Sequence, residues 1–215
     1  ELDSQAAGSP FLVTYMSGAR GASDVVLGES LTKASVADGN WHHYAVSVHN
    51  SGSNLEINLY VDGKWNHTVT TGTTCAANDV NFHANIGAFV TKPVSTSTAA
   101  IGWGKLSGSL DEFRFWKIRR NAEQIGSNWR HQVPGGTHSK EVDGDLGVYF
   151  KFNEGITQDT DVDKIVLDYS GRISNGNWTG YVAASRHTGS AIVESGANRE
   201  EFEDPIIRSN HPSVV

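Results

Sequence analysis

Apolar and polar residues alternate at period two along several short stretches of the chain, which is the pattern of β-strands buried on one face. The alternation is clearest over residues 43–49 and 55–61. The second stretch ends at Asp62-Gly63, a strong signal for a two-residue hairpin, and the chain returns as residues 64–70. Other apolar runs predict further strands over residues 10–16, 80–90, 106–118 and 147–152, with shorter candidates at 178–184 and 190–193.

A helical pattern occurs at one place in the chain. Asn121 can cap a helix with its side chain, Gln124 follows three residues later, and Ala122, Ile125 and Trp129 fall near one face. Such a helix would have about three turns at most. Together with the strands it predicts an all-β fold, a two-sheet antiparallel sandwich with one short helix.

The composition agrees with a globular β-protein. Hydrophobic residues make up 38% and charged residues 19% of the 215 residues, and 23 glycines supply the tight turns that short strands need. The net charge is -7 and no block of five or six Lys or Arg occurs, so nucleic acid is not an expected partner. No apolar run reaches the ~18 residues of a membrane span, so no membrane partner is expected either.

Several segments carry a resemblance to a known family. Residues 38–46, Asp-Gly-Asn-Trp-His-His-Tyr-Ala-Val, resemble the gly-x-trp-his-his strand of laminin G-like and pentraxin-like jelly rolls, and residues 59–63 resemble the hairpin that follows it. Residues 108–116 resemble their leu-asp-glu strand, and residues 149–155 with 167–171 resemble their closing region. The segments occur in the expected order, so the chain resembles the concanavalin A-like lectin/glucanase superfamily.

The resemblance implies a laminin G-like jelly-roll domain over residues 1–185 and an extended C-terminal tail or linker over residues 186–215. The usual opening strand ahead of Phe11 is missing or is replaced by the strand near Phe150. Because the chain starts at Glu1 without Met, we expect a piece of a longer protein or a processed form.

The function that the resemblance implies is a non-catalytic carbohydrate-binding or adhesion module of a larger surface or virion protein. Its partners would be a glycan or cell-surface polysaccharide and other domains of the same protein. The tail over residues 201–215 is similar to parts of virion proteins of marine bacteriophages, and the implied location is extracellular, on a cell surface or on a virion. A purely structural spacer or decoration domain stays open as an alternative, and a glucanase-type hydrolase as a remote one.

Catalysis by a pair of carboxylates is not expected. The resembling glucanases hold an acid and a nucleophile about 5 Å apart on one face of a strand, which needs acids two or four residues apart. Asp111 and Glu112 are adjacent, and residues 113–116 contain no acid. The sequence therefore predicts a protein that is not an enzyme.

Asp168, in the sequence Asp-Tyr-Ser-Gly, has two interpretations. The context fits an Asx-turn. The resemblance instead implies that Asp111 and Asp168 share one structural calcium ion, since resembling domains hold calcium with acids from these two places. The alternating acids of residues 159–163 would need Gly at Lys164 and Glu at Ser170 to form an EF-hand, so they predict a solvated acidic loop.

Trp103 is the predicted ligand-binding residue. It lies between two glycines and follows a small-residue loop over residues 91–100, so its ring is a candidate platform for a sugar, with burial in the core as the alternative. His42 and His43 are adjacent on a predicted strand and cannot chelate one metal ion, because they face opposite ways. Most of the strand aromatics should be buried, namely Trp41, Tyr60, Phe113, Phe115 and Phe150.

Overall fold

The fold is mostly β, and its strands pair in antiparallel sheets. The structure, a computed structural model, describes residues 11–76, 84–87, 106, 108–133 and 145–185. The strands in chain order are β1 (Phe11–Ser17), β2 (Arg20–Leu27), β3 (Tyr44–Ser51), β4 (Asn54–Val61), β5 (Lys64–Thr71), β6 (Phe113–Trp116), β7 (Leu146–Phe150), β8 (Ile165–Val166) and β9 (Gly176–Asn177). The helices are α1 (Lys33–Val36), α2 (Ala122–Asn128), α3 (Thr160–Asp163) and a 3₁₀ turn (Ala183–Ser185).

In each described sheet, a strand is hydrogen-bonded to the strand that comes next along the chain. The described sheets are β1-β2, β3-β4-β5, β6-β7 and β8-β9. Tight turns connect the first five strands within their sheets, which is the antiparallel connection expected for an all-β jelly roll. The predicted fold class is therefore confirmed, and so are the strands predicted at β1, β3, β4, β5 and β7.

Strand β2 was not predicted, because a bulge hides its alternation. The register pairs Val13 with Val25 and then Tyr15 with Ala22, so Ser23 and Asp24 together oppose one residue of β1. Asp24 has φ 57, and its backbone N–H donates to Thr14 Oγ1 at 3.1 Å. The extra residue shifts the apolar positions by one, so they no longer follow period two.

The turn between β4 and β5 is the hairpin that Asp62-Gly63 predicted. Both residues have positive φ, 49 and 74, as a type I′ turn requires. The Asp62 carboxylate accepts from the backbone N–H of His43 at 2.8 Å and lies 2.9 Å from His42 Nδ1. Its side chain therefore holds the turn against the start of β3.

The strand predicted over residues 106–118 is shorter in the structure. Only Phe113–Trp116 is a strand, because Glu112 has φ 53 and cannot continue an extended chain. Asp111 and Glu112 both precede the strand, so the alternation of side chains along a strand does not determine which way they face. The strand predicted over residues 178–184 is also wrong, and its last residues form the 3₁₀ turn.

Helix α2 has the predicted capping box. Asn121 Oδ1 accepts from Gln124 N at 2.8 Å, and Gln124 Oε1 accepts from Asn121 N at 3.0 Å. The short helices α1 and α3 are additions to the single helix predicted. None of the helices in the described ranges is long and apolar enough to span a membrane.

The chain divides into two compact units, each with its own buried residues. The first unit comprises Glu1–Asp38, Val48–Asn58 and His67–Ser109, and the second comprises Gly39–Ser47, Leu59–Asn66 and Leu110–Val215. Leu27, Leu55 and Ile57 are fully buried in the first unit. In the second, Val133, Leu146 and Tyr149 form a buried cluster against which Trp116 and Tyr169 pack.

The predicted aromatic core is confirmed only in part. Tyr60 and Phe150 are buried, and Phe113 stacks on Phe150 with ring centroids 6.1 Å apart. Trp41 and Phe115 are exposed, at 44% and 51%, and Phe113 is half-buried, so two of the five aromatics are buried where a majority was predicted. Trp41 precedes β3 and holds no sheet position, whereas Phe115 lies against a glycine that cannot cover its ring.

The remaining predicted elements lie wholly or largely outside the described residues. Of residues 80–90 only 84–87 are described, and they form no strand. The candidate strand at 190–193 and the tail over residues 186–215 are outside the described ranges, so the predicted domain boundary stays a prediction.

Candidate functional site

Trp103, the predicted sugar platform, lies outside the described residues. Its role in ligand binding therefore stays a prediction. The functional chemistry that can be built from the described residues is found at three places: the loop of Asp168, a buried ion pair at Glu112, and a surface depression in the first unit.

Asp168 organises the loop that follows β8. Its Oδ1 accepts from the backbone N–H groups of Tyr149 and Ser170, and its Oδ2 accepts from the N–H of Ser174 and the hydroxyl of Ser170, all between 2.9 and 3.0 Å. Burial acts to raise the pKa of Asp168, but these hydrogen bonds outweigh it and hold the pKa below its usual value. The carboxylate therefore stays ionised and ties the loop to β7.

The calcium ion implied for Asp111 and Asp168 stays a prediction, and the contacts of Asp168 do not fit it well. Two carboxylate oxygens offer about four lone-pair sites, and four donors already occupy those of Asp168. Asp111 Oδ1 accepts from the backbone N–H of Glu112 at 3.0 Å. Among the described residues, no group of three or more His, Cys, Asp or Glu side chains could hold a metal ion.

The acidic residues 159–163 form a capped helical turn instead of the solvated loop that was predicted. The Asp159 side chain caps α3 by accepting from Asp161 N at 2.9 Å. Asp163 is 3% exposed and accepts from both the backbone N–H and the hydroxyl of Thr157 at 2.8 Å. Asp159 and Asp161 are exposed, as predicted, and Asp161 pairs with Lys164.

Glu112 is the acid of the Leu-Asp-Glu segment, and its carboxylate is already engaged. Arg114 Nη2 donates to Glu112 Oε2 at 2.9 Å, and the two side chains are 9% and 12% exposed, respectively. The hydroxyl of Tyr149 donates to the same oxygen. Arg114 also donates to the carbonyl oxygens of Asn128 and His131, so the ion pair is fixed from several sides.

The hydrogen-bond network of Glu112, Arg114 and Tyr149 has the features of a structural network and not of a proton-transfer site. Burial raises the pKa of Tyr149 well above its usual value, the hydrogen bond to Glu112 adds to the rise, and the nearby Arg114 opposes it. The tyrosine therefore remains a hydrogen-bond donor at every physiological pH. The Glu112 carboxylate accepts from a guanidinium and a neutral phenol at the same oxygen, so its Oε2 is occupied by structural hydrogen bonds.

A surface depression lies within the first unit. Its volume is about 270 Å³, and its described lining residues are Tyr15, Val48, His49, Asn50, Leu55, Cys75 and Ala76. Leu55 is fully buried beneath it, whereas the Tyr15 side chain is 48% exposed. The depression thus combines an apolar floor, an exposed aromatic ring and polar side chains, the mixture that small-molecule sites use.

Family comparison places the chain among known proteins. A family model described as concanavalin A-like lectin/glucanases superfamily, of the laminin G type, matches residues 3–126. The chain belongs to this superfamily. Searches of the curated proteins and of the solved structures returned no match.

Membership in the concanavalin A-like lectin/glucanase superfamily makes this a carbohydrate-binding or adhesion-type domain in general terms. The superfamily match includes all residues that line the depression, together with Asp111, Glu112 and Arg114. It ends inside α2, so Asp168 and Tyr149 lie beyond it.

The depression was not predicted from the sequence. Tyr15 lies in a predicted strand whose sequence does not indicate which side chains are exposed. Asn50 comes directly after the predicted strand over residues 43–49, where polar residues are common. The lining residues come from four separate stretches of the chain, so no local pattern could have grouped them. The only available signal was the polar Asn50 at the end of the alternating run of β3.

Proposed function

We propose that this chain is a non-catalytic carbohydrate-binding or adhesion module of a larger extracellular, cell-surface or virion protein. Membership in the concanavalin A-like lectin/glucanase superfamily supports the general class. The choice of binding over hydrolysis rests on one observation, the engagement of the Glu112 carboxylate by Arg114 and Tyr149.

The physical argument is that a retaining glucanase needs two carboxyl groups about 5 Å apart, one protonated and one free to attack the sugar. Glu112 is poorly placed for either role while it is paired, because Arg114 and Tyr149 both donate to its Oε2 and hold the carboxylate in place. Removing either partner of such a buried pair costs about 3–5 kcal/mol, so the pair is expected to persist.

The test is a glycan array probed with the whole chain, combined with a reducing-sugar assay on the β-glucans of the array. We expect retention of a subset of glycans and no release of reducing ends. If Trp103 is a platform, Trp103→Ala should weaken the retention, whereas Trp65→Ala, at a tryptophan that is exposed in the described part of the chain, should not.

Two outcomes would contradict the proposal. Cleavage of a β-glucan that is lost in a folded Glu112→Gln variant would identify a hydrolase. Failure to retain any glycan would favour the alternative of a structural spacer or decoration domain.

A further inference from the structure

We infer that the depression in the first unit binds a single neutral pyranose ring, stacked on Tyr15 and hydrogen-bonded to Asn50. The inference rests on the proposed function and deepens it, because it names the place and the chemical class of the ligand. Four features of the depression support the inference: its size, its aromatic wall, the unused hydrogen-bonding groups of Asn50 and the charge of the lining residues.

The size suits one sugar ring. The volume is about 270 Å³, just below the ~300–1,000 Å³ of sites that hold drug-sized ligands. A disaccharide would extend beyond it over the surface. The depression therefore accommodates one ring, with the rest of a glycan chain directed to solvent.

Tyr15 supplies the surface on which a pyranose ring can lie. It sits opposite Ala22 across the β1-β2 pair, with its side chain 48% exposed. The negative face of an aromatic ring attracts the partly positive C–H groups that one face of a pyranose presents. Gly21 lets this wall form, since a Cβ there would lie 2.1 Å from the carbonyl oxygen of Tyr15 and 3.1 Å from Cys75 Sγ.

Asn50 supplies the hydrogen bonds. Its Nδ2 donates to the carbonyl oxygen of Cys75 at 2.9 Å, and its Oδ1 accepts from the backbone N–H of Cys75 at 3.1 Å. A carboxamide has two N–H donors and two acceptor lone pairs, so one donor and one acceptor remain on this exposed side chain. A hydroxyl group can both donate and accept, and the hydroxyls of a sugar match such a pair.

The walls are held before any ligand arrives, which reduces the entropic cost of binding. The double hydrogen bond with Cys75 fixes the Asn50 amide. The segment before Cys75 is anchored to β2, where Arg20 donates to the carbonyl oxygen and the hydroxyl of Thr74 at 2.7 Å. The backbone N–H of Gly21 donates to Thr73 Oγ1 at 3.0 Å.

The lining residues decide between neutral and acidic sugars. The described lining contains no Lys, Arg, Asp or Glu, and its histidine, His49, already has a carboxylate partner, with Nε2 3.7 Å from Glu56 Oε1. A uronic acid or a sialic acid would bring a carboxylate that must be desolvated without a cation to pair with it. A neutral hexose has no such cost, so neutral glycans should bind in preference to acidic ones.

The experiment measures dissociation constants of the whole chain for two sets of oligosaccharides, neutral hexose oligomers and oligomers that contain uronic or sialic acid. Tyr15→Ala removes the stacking surface and should weaken the binding of neutral oligomers by about tenfold. Tyr15→Phe keeps the ring face and should stay within about twofold of the wild type. Ala76→Phe fills the depression and should also abolish most of the binding, and thermal melts verify that each variant is folded.

Trp41→Ala is the matched control, because Trp41 is exposed to a similar extent, 44%, and is not among the residues that line the depression. Wild-type affinity in both Tyr15→Ala and Ala76→Phe would overturn the inference and leave the proposed function standing. A preference for the acidic oligomers would overturn the assignment of a neutral ligand. A wild-type chain that binds neither set would remove the proposed function itself.

Discussion

His43 is a titratable residue whose surroundings disfavour its charged form. Its ring packs against Trp129, with centroids 6.3 Å apart, and its Nδ1 is buried without a hydrogen-bond partner in the described part of the chain. The pKa of His43 is lowered to about 4, mainly by burial and also by the positive charge of Arg114, while Asp62 opposes the shift. The folded protein therefore holds this histidine neutral.

The low pKa predicts a loss of stability in acid. The pKa of His43 is about 4 in the folded chain and 6.5 in the unfolded chain, so the unfolded state takes up the proton first as the pH falls. The contribution of neutral His43 is fully present above pH ~6.5 and is lost between pH ~6.5 and ~4, by about 3 kcal/mol in total. Urea unfolding measured across this range should show the slope.

His43→Phe is the control for the pH experiment, because it keeps an aromatic ring beside Trp129 but cannot titrate. It should flatten the dependence between pH ~6.5 and ~4 while leaving the loss below pH ~4 that carboxylates cause. An equal slope in the variant would show that other groups are responsible.

Asp168 is predicted to matter as a turn residue whether or not calcium is present. Asp168→Asn replaces one acceptor oxygen by an amide nitrogen, which leaves the backbone N–H of Ser174 or Tyr149 without an acceptor. The free energy of unfolding should fall by about 1–3 kcal/mol. Thermal melts should show the same drop with and without EDTA. Asp161→Asn is the matched control, since Asp161 is exposed and bound only by Lys164, and it should change little.

The calcium prediction requires a different result. A structural ion would make EDTA lower the melting temperature of the wild type and leave Asp168→Asn unaffected, since the variant would already lack the ion. That pattern would establish the site of Asp111 and Asp168 and reduce the turn to a secondary role.

At the scale of elements, the two turns of the β3-β4-β5 sheet each contain a glycine at positive φ, but the space around the two glycines differs. Gly52, between β3 and β4, has φ +59 and open space where a Cβ would lie. Gly63, between β4 and β5, has φ +74, and a Cβ there would lie 2.1 Å from Trp129 Cδ1. Both positions need the left-handed conformation that glycine adopts readily, but only Gly63 also needs the absence of a side chain.

This contrast gives a prediction for the two alanine variants. Gly52→Ala should lower the free energy of unfolding by about 1 kcal/mol, the cost of placing alanine at positive φ. Gly63→Ala should lower it by a further ~1–3 kcal/mol, because the indole of Trp129 must move to admit the methyl group. Equal losses in urea denaturation would show that Trp129 yields freely and does not restrain the hairpin.

The elements also show where local pattern was sufficient. The hairpin at Asp62-Gly63 and the cap of α2 at Asn121 could be predicted because each depends on residues within a few positions of one another. Strand β2 could not, since the bulge at Asp24 interrupts its period. The start of β6 could not either, because the positive φ of Glu112 goes with side-chain partners, Arg114 and Tyr149, of which one is distant in sequence.

At the scale of the whole molecule, the net charge of -7 and the neutral depression have different consequences. The overall charge disfavours polyanionic partners such as nucleic acids and is effective over about 8 Å at physiological ionic strength. The ligand site that we propose in the depression would act at contact distance and select by shape and hydrogen bonding. The module that we propose would therefore adhere to neutral polysaccharide and be repelled by strongly acidic surfaces.

The sequence by itself determined the fold class, the family and most of the strands, because alternation, turn residues and capping residues act over a few neighbouring positions. The sequence also led to the prediction that the protein is not an enzyme, but the adjacency of Asp111 and Glu112 does not support that prediction, because both residues precede β6. Tertiary structure alone revealed the pairing of Glu112 with Tyr149, 37 residues away, and the depression that joins Tyr15, Asn50 and Cys75. These arrangements depend on which distant segments meet in the folded chain, and period-two patterns record only which face of a strand is buried.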